Sequence, residues 1–290
     1  MPDLSNSPSP TDMPVADWIP FPIEAADFRL TMGLQAISEA EWLYPGPDGD
    51  HQMAERARLL SSQADQVLAC QPEAESASGV IWQMATGAPL ALTGTAALLA
   101  LGHAAQEDFC IMQKPEGADS YQLTGAILCF PNRWRLADKL SQGMPGIHRP
   151  VPGYDTSLQK PIDRFFEHLK PGRITARHNW SLHADDTLFH PNASDVAHDQ
   201  AAAAVTAENA GEQVFMRVER QTLRRVEDVG LPTILFTIRT MVAPLGDMVA
   251  GKPGRVAALD QALTTMPQDM QRYKSMASMI PAIRGWLDHA

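Results

Sequence analysis

The sequence predicts an α+β fold: an antiparallel five-stranded sheet with a helical segment clasping one face, set between a helical N-terminal region and C-terminal helices. Three observations predict it. After residue 108 the chain carries five runs rich in β-branched and aromatic residues, each bounded by turn-forming residues. Before residue 107 and after residue 246, apolar residues recur at helical spacing. Between the second and third strand runs lies a long stretch in which Pro145, Pro150 and Pro152 forbid one continuous helix, while SLQKPIDRFFEHL near its end is helical in pattern.

Taken in order, residues 1–16 are rich in Pro, Ser and Asp and read as a disordered tail. Residues 17–107 form the helical region. Ser38 and Glu41 have the spacing of a capping box, which marks a helix start. In MAERARLLSSQADQVLAC, Leu59, Leu60, Ala64, Val67 and Leu68 fall along one face. Residues 88–102, APLALTGTAALLALG, read as a buried helix, too short and too interrupted to span a bilayer. His51 and His103 stand alone in this half, without a catalytic constellation around them.

Residues 108–245 form the sheet core. DFCIMQK and YQLTGAILCFP flank the turn residues PEGADS; RITARHNWSLHA, VFMRVERQTLRRV and TILFTIRTMVAP complete the five strands. The last two flank a turn with Gly230 and Pro232, which reads as a hairpin. The linker NASDVAHDQAAAAVTAENAGEQ is polar and Ala-rich, with room for a short helix or a loop. Residues 246–290 return to helical spacing.

The formal charge of −11 and a pI near 5.2 argue against nucleic acid as a partner, since a phosphate backbone needs a basic surface. Cys70, Cys110 and Cys129 show no CxxC pairing, so neither a zinc knuckle nor a disulfide framework is indicated, and a cytoplasmic location suits them. The N-terminus has neither a basic region nor an apolar core, so no signal peptide is expected, and no membrane span either.

The first strand of that hairpin is unusually charged. Arg217, Glu219, Arg220, Arg224 and Arg225 sit in a strand pattern that packing alone does not require. Alternation sends Arg220, Thr222 and Arg224 to one side, and Arg217, Glu219, Gln221 and Leu223 to the other, so at least one set is solvated or paired. A second pattern, His183-Ala184-Asp185, is half of a two-histidine, one-carboxylate non-haem iron site, with His190 or His198 as the third ligand.

The order strand, strand, helical middle, strand, strand, strand is that of a PAS domain, whose cleft between sheet and helices commonly holds a flat cofactor. The segments CFPNRWRLADKL, GIHRPVPGY, RHNWSLHADDTLFHP, RVERQTLRR and FTIRT resemble the haem-dependent oxidative N-demethylase family, to which the haem subunit of bacterial dimethylamine monooxygenase belongs. The likeness runs from FRLTMGLQAISEAEWL at residue 28 to QRYKSM near residue 276. Met241 stands where relatives often carry an aromatic residue, and the Ala-rich linker is longer than expected.

The resemblance implies a PAS-like core holding haem b. It also implies removal of a methyl group from a small secondary amine with O2, dimethylamine giving methylamine and formaldehyde. Electrons would come from NADPH through reductase subunits carrying FMN and a 2Fe–2S cluster, in a hetero-oligomer. This chain has neither a GxGxxG fingerprint nor four cluster cysteines of its own. His148 is the expected axial ligand, with His183 and His178 in reserve and Cys129 and Tyr154 behind them. Five residues separate His178 from His183, so on one strand they face opposite sides. Arg177, Arg220, Arg224 and Arg239 are expected to meet the haem carboxylates. Glu219 is the expected counter-charge for the ammonium substrate, with an internal salt bridge to Arg239 as the alternative and Asp185 and Asp186 as further options. A haem-PAS sensor without turnover is the remaining alternative, although no output module accompanies the chain.

Overall fold

The computed structural model describes residues 14–89, 91–192 and 196–290. Most of the expected tail, and Leu90 within the expected apolar helix, lie outside them; the helix itself runs over Gly94–Ala104. A helical turn at Val15–Trp18 begins the described chain.

All five expected strands are present: β3 (Asp108–Gln113), β4 (Gln122–Ile127), β5 (Ile174–His183), β6 (Phe215–Val226) and β7 (Thr233–Pro244). Among the described residues the sheet nevertheless has seven strands rather than five, because β1 (Gln35–Ile37) and β2 (Leu68–Cys70) pair along its two edges. Its order is β1-β5-β6-β7-β3-β4-β2, and every pairing is antiparallel. Three-residue strands carry no alternation pattern, which is why the sequence hides them. The longest ladder joins β6 to β7, from Phe215 opposite Pro244 to Val226 opposite Thr233. Its turn is closed by Gly230 at φ +83°, a left-handed conformation that costs glycine little.

Two expected N-terminal elements come out shorter. Ser38 and Glu41 do form the capping box, the Ser38 N–H donating to the Glu41 carboxylate at 2.9 Å, yet it opens only a 3₁₀ turn, Glu39–Glu41. The helix Gly49–Ser62 stops before Gln63, and Leu68 becomes the first residue of β2 rather than part of one helical face.

The pleat divides the core. One face of the sheet packs the N-terminal helices through Phe109, Ile111 and Leu235, and the C-terminal helices through Met216, Val218 and Met241. The other face presents Cys110, Met112, Leu123, Leu223 and Ile234 to the helical cover, where Leu136, Met144, Tyr154, Ile162 and Phe166 meet it. That cover consists of Met144–His148, a π-turn at Tyr154–Leu158, and Gln159–His168.

Charged groups pin these layers together. Arg56 and Asp108 are both fully buried, 2.7 Å apart. The Asp108 carboxylate also accepts the Cys129 and Phe130 N–H groups at 2.7 and 2.9 Å, fixing the chain as it leaves β4. Removing one member of such a pair strands the other in a low dielectric. Asp108→Ala should therefore destabilise the protein by about 3–5 kcal/mol, read as a lower urea midpoint. A loss indistinguishable from that of an exposed Asp→Ala variant would contradict this role.

Candidate functional site

Between the helical cover and the cleft-side face of the sheet lies an apolar cavity. Its volume is about 130 Å³, smaller than the ~300–1,000 Å³ typical of small-molecule sites. Its floor is Cys110, Met112, Leu123, Leu223 and Phe236; its roof is Trp134, Met144, Ile147, His148, Ile162 and Phe166. Met32 and Leu34 close one side, and Lys139, Arg177 and Gln221 are its polar members.

His148 ends the short helix Met144–His148 and lines the cavity. Its Nδ1 lies 3.0 Å from the Met144 carbonyl, which can only accept, so Nδ1 carries the proton and Nε2 keeps its lone pair. The ring stacks on Tyr154 with centroids 4.5 Å apart and planes 7° apart, which fixes its orientation. Burial is the main cause holding its pKa below the ordinary value, with Lys139 and Arg177 adding to it and the Met144 hydrogen bond opposing. The result is a neutral imidazole with an open nitrogen, the form a metal ligand requires.

Arg177 comes from β5 and lines the same cavity, with a buried Nε that has no hydrogen-bond partner. Burial pulls its pKa down, and only the Glu219 charge counters that. A guanidinium so placed is a ready partner for a carboxylate.

The other expected arginines lie elsewhere. Arg220 donates to the Glu41 and Trp42 carbonyls, and Arg224 forks onto Glu39 at 2.6 and 3.0 Å over the Trp42 ring. Arg239 bonds Asp48, Gln52 and the Tyr44 carbonyl. All three occupy the sheet face that packs the N-terminal region, so none lines the cavity. They hold the helical region to the sheet.

Glu219 is on the cleft-side face but behind the wall. Its carboxylate accepts from Gln221 Nε2 at 3.0 Å, Asn179 Nδ2 at 3.3 Å and Arg217 Nε at 3.4 Å. The ion pair expected with Arg239 is made with Arg217 instead, because the pleat places Arg239 on the opposite face. Lys274 stands nearby, donating to Asn179 Oδ1 at 3.2 Å; burial brings its pKa down to about 8, against the pull of Glu219. Gln221 belongs to the alternating set read from the sequence, whereas Lys139, Trp134 and Lys274 carry no pattern that marks them.

The reserve histidines do not reach the cavity. His178 faces the Arg220 side, with its buried Nε2 unpartnered. His183 sits at the far end of β5, where its ring lies 5.0 Å from that of His190 and 5.7 Å from that of His198. Asp185 joins this group, 3.1 Å from His190 Nε2 and 3.2 Å from His198 Nδ1. Burial would raise the Asp185 pKa, but hydrogen bonds from His190, His198 and Thr187 hold it well below the carboxylate range. The residues of the H-x-D pattern thus do converge, yet among the described residues no group of three or more His, Cys, Asp or Glu is arranged to hold a metal ion. Of the weaker ligands, Cys129 is buried in the core against the N-terminal helices, its thiol pushed up to about 12 by burial. Tyr154 supports the His148 ring and does not line the cavity. Asp186 is exposed, in the loop after β5, and His51 and His103 are exposed on their helices.

No helix among the described residues is long and apolar enough to cross a membrane. A family described as haem-dependent oxidative N-demethylase, alpha subunit-like, matches residues 79–283, which include the cavity floor, the helical cover, Arg177 and the whole β6–β7 hairpin. The match starts later than residue 28, so β1 and the wall residues Met32 and Leu34 fall outside it. The description speaks of haem, of oxidative demethylation and of one subunit among several. With well over half of its length matched, the chain belongs to the haem-dependent oxidative N-demethylase, alpha subunit-like family.

Proposed function

We propose that this chain is the haem-carrying subunit of an oxidative N-demethylase acting on a small secondary amine, dimethylamine being the reading carried from the sequence. The observation that carries the proposal is a neutral His148, with Nε2 open, at the wall of an apolar cavity. The strand order β4-β3-β7-β6-β5 supports a PAS-like core around that cavity.

The residues present fit haem b. Apolar side chains line both floor and roof, His148 would be the axial ligand, and the unpartnered Arg177 Nε would meet a haem carboxylate. The Nδ1–H bond to the Met144 carbonyl raises the basicity of Nε2, and the Tyr154 ring holds its plane. When bound, haem supplies the oxygen chemistry that turns an N-methyl group into formaldehyde and leaves a primary amine. Its electrons would come from NADPH through partner subunits carrying FMN and a 2Fe–2S cluster. Three free cysteines suit a cytoplasmic setting.

The protein's own contribution is binding, orientation and exclusion of water. Met112, Leu223, Phe236 and Phe166 give the cavity an apolar lining that disfavours water. Gln221 commits its Nε2 to Glu219, so its Oε1 is the amide atom left to accept a substrate N–H. Glu219, held behind Gln221, would set the field at that end of the cavity rather than touch the amine.

Three outcomes follow. Haem-loaded protein given O2, dimethylamine and a continuous electron supply should release formaldehyde and methylamine in equal amounts, each pair using one O2 and two electrons; O2 consumption without formaldehyde would sink the proposal. Arg177→Gln should weaken haem binding about tenfold, in line with the loss of one charge-assisted hydrogen bond, while folding stays intact by circular dichroism. Haem uptake should be flat from pH 8 down through 6.5, since burial keeps the His148 pKa below its ordinary 6.5, and should fall only at lower pH as the ring protonates. Uptake already declining above pH 6.5 would contradict a depressed His148.

A further inference from the structure

At about 130 Å³ the cavity is smaller than the sites that hold drug-sized ligands, and a porphyrin is no smaller than such ligands. One of its walls must therefore move outward when the cofactor enters. The floor is held by the ladders that join β6 to β7, β7 to β3 and β3 to β4. The first part of the roof is bonded to the β4 segment. There the Met144 and Ser141 N–H groups donate to the Tyr121 and Leu123 carbonyls at 3.1 and 2.8 Å, and the Leu123 N–H donates to the Gln142 carbonyl at 3.2 Å. His148 belongs to this fixed part.

The second part of the roof, the π-turn Tyr154–Leu158 and the helix Gln159–His168, is held differently. Among the described residues, 154–165 make no hydrogen bond or ion pair to any other element. The Tyr154 hydroxyl is buried without a partner. Polar ties begin only at the far end. There Arg225 of β6 donates to the Phe166 and Leu169 carbonyls, each at 2.6 Å, and Lys114 meets Glu167 at 2.7 Å. Elsewhere the segment rests on apolar packing through Tyr154, Leu158 and Ile162. Gly153, at φ +74°, joins it to the fixed part with no side chain to hinder rotation.

We propose that residues 154–168 are a lid, tethered at the Arg225 end, whose Tyr154 end swings off the sheet to admit the cofactor and closes over it. The inference rests on the reading of a haem in the cavity. Only packing opposes the swing at the free end. Apolar contact is non-directional, so the segment can part from the sheet and reseat without breaking a hydrogen bond to it. A π-turn and a glycine joint at the moving end are the local features that absorb such a change. Closure brings Ile162 back to the roof and sets the Tyr154 ring on His148, so shutting the cavity and orienting the imidazole are one movement.

Amide hydrogen exchange of the full chain, purified without haem, tests the lid with no cofactor present. Wild type is compared with Arg225→Met, which cuts the tether, with Lys114→Met, and with Arg224→Met, which alters the other face of the same strand. Residues 159–168 should exchange on the order of tenfold faster in Arg225→Met, with β3, β4 and residues 140–148 unchanged. Lys114→Met should give a smaller change in the same segment, and Arg224→Met none there. The rate of haemin uptake should level off at high haemin, where lid opening becomes the slow step, and that plateau should rise in Arg225→Met. Should Arg225→Met prove unfolded by circular dichroism, Lys114→Met carries both comparisons. Exchange of residues 159–168 unchanged in both tether variants would overturn the proposal, and so would an uptake rate that climbs in proportion to haemin without a plateau. A wild type that takes up no haemin would sink the haem reading alone, since the exchange comparison still decides the lid.

Discussion

The register of the β6–β7 ladder is the constraint on which the site depends. With Glu219 opposite Thr240 and Leu223 opposite Phe236, the pleat assigns each side chain of the hairpin to one of two environments. Gln221, Leu223 and Phe236 face the cavity, while Arg220, Arg224 and Arg239 go to the layer that binds the N-terminal region. A one-residue slip of β6 would exchange its two sets, turning Arg220 and Arg224 toward an apolar cavity and Leu223 away from it.

Ionic groups inside the molecule act mainly as fasteners. Arg217 reaches the Phe130 and Leu188 carbonyls at 2.6 and 3.0 Å, tying two loops to the sheet beside the cavity. Arg56 and Asp108 do the same for the end of β4. These anchors leave the cavity itself with few polar atoms, and that scarcity is what keeps His148 neutral. The same desolvation that holds the imidazole deprotonated leaves the Arg177 charge in need of an anion.

Much of this was legible in the sequence, where periodicity decides. The five long strands lie where β-branched runs between turn residues place them, and the two sides of β6 follow its alternation. His148 and Arg177, read through the family likeness, line one cavity. What stayed hidden depends on distance along the chain. Alternation sorts Arg220 from Glu219 but cannot say which side is the cleft, because both sides of this sheet are covered. Arg239 was paired with Glu219 because the two lie on adjacent strands; the pleat separates them. The edge strands β1 and β2 are too short to carry a period, and Lys139 reaches the site from a four-residue helix with no pattern of its own.

The central claim is that the His148 imidazole is the protein's hold on an iron porphyrin, and an exogenous imidazole tests it most directly. The absorption spectrum of haem-loaded wild type is compared with that of His148→Gly before and after imidazole is added. The account predicts that the Soret band of His148→Gly shifts or vanishes and that imidazole restores the wild-type position, because the ring's place at the cavity wall is then open to the free ligand. A His148→Gly spectrum identical to wild type, unmoved by imidazole, would contradict it.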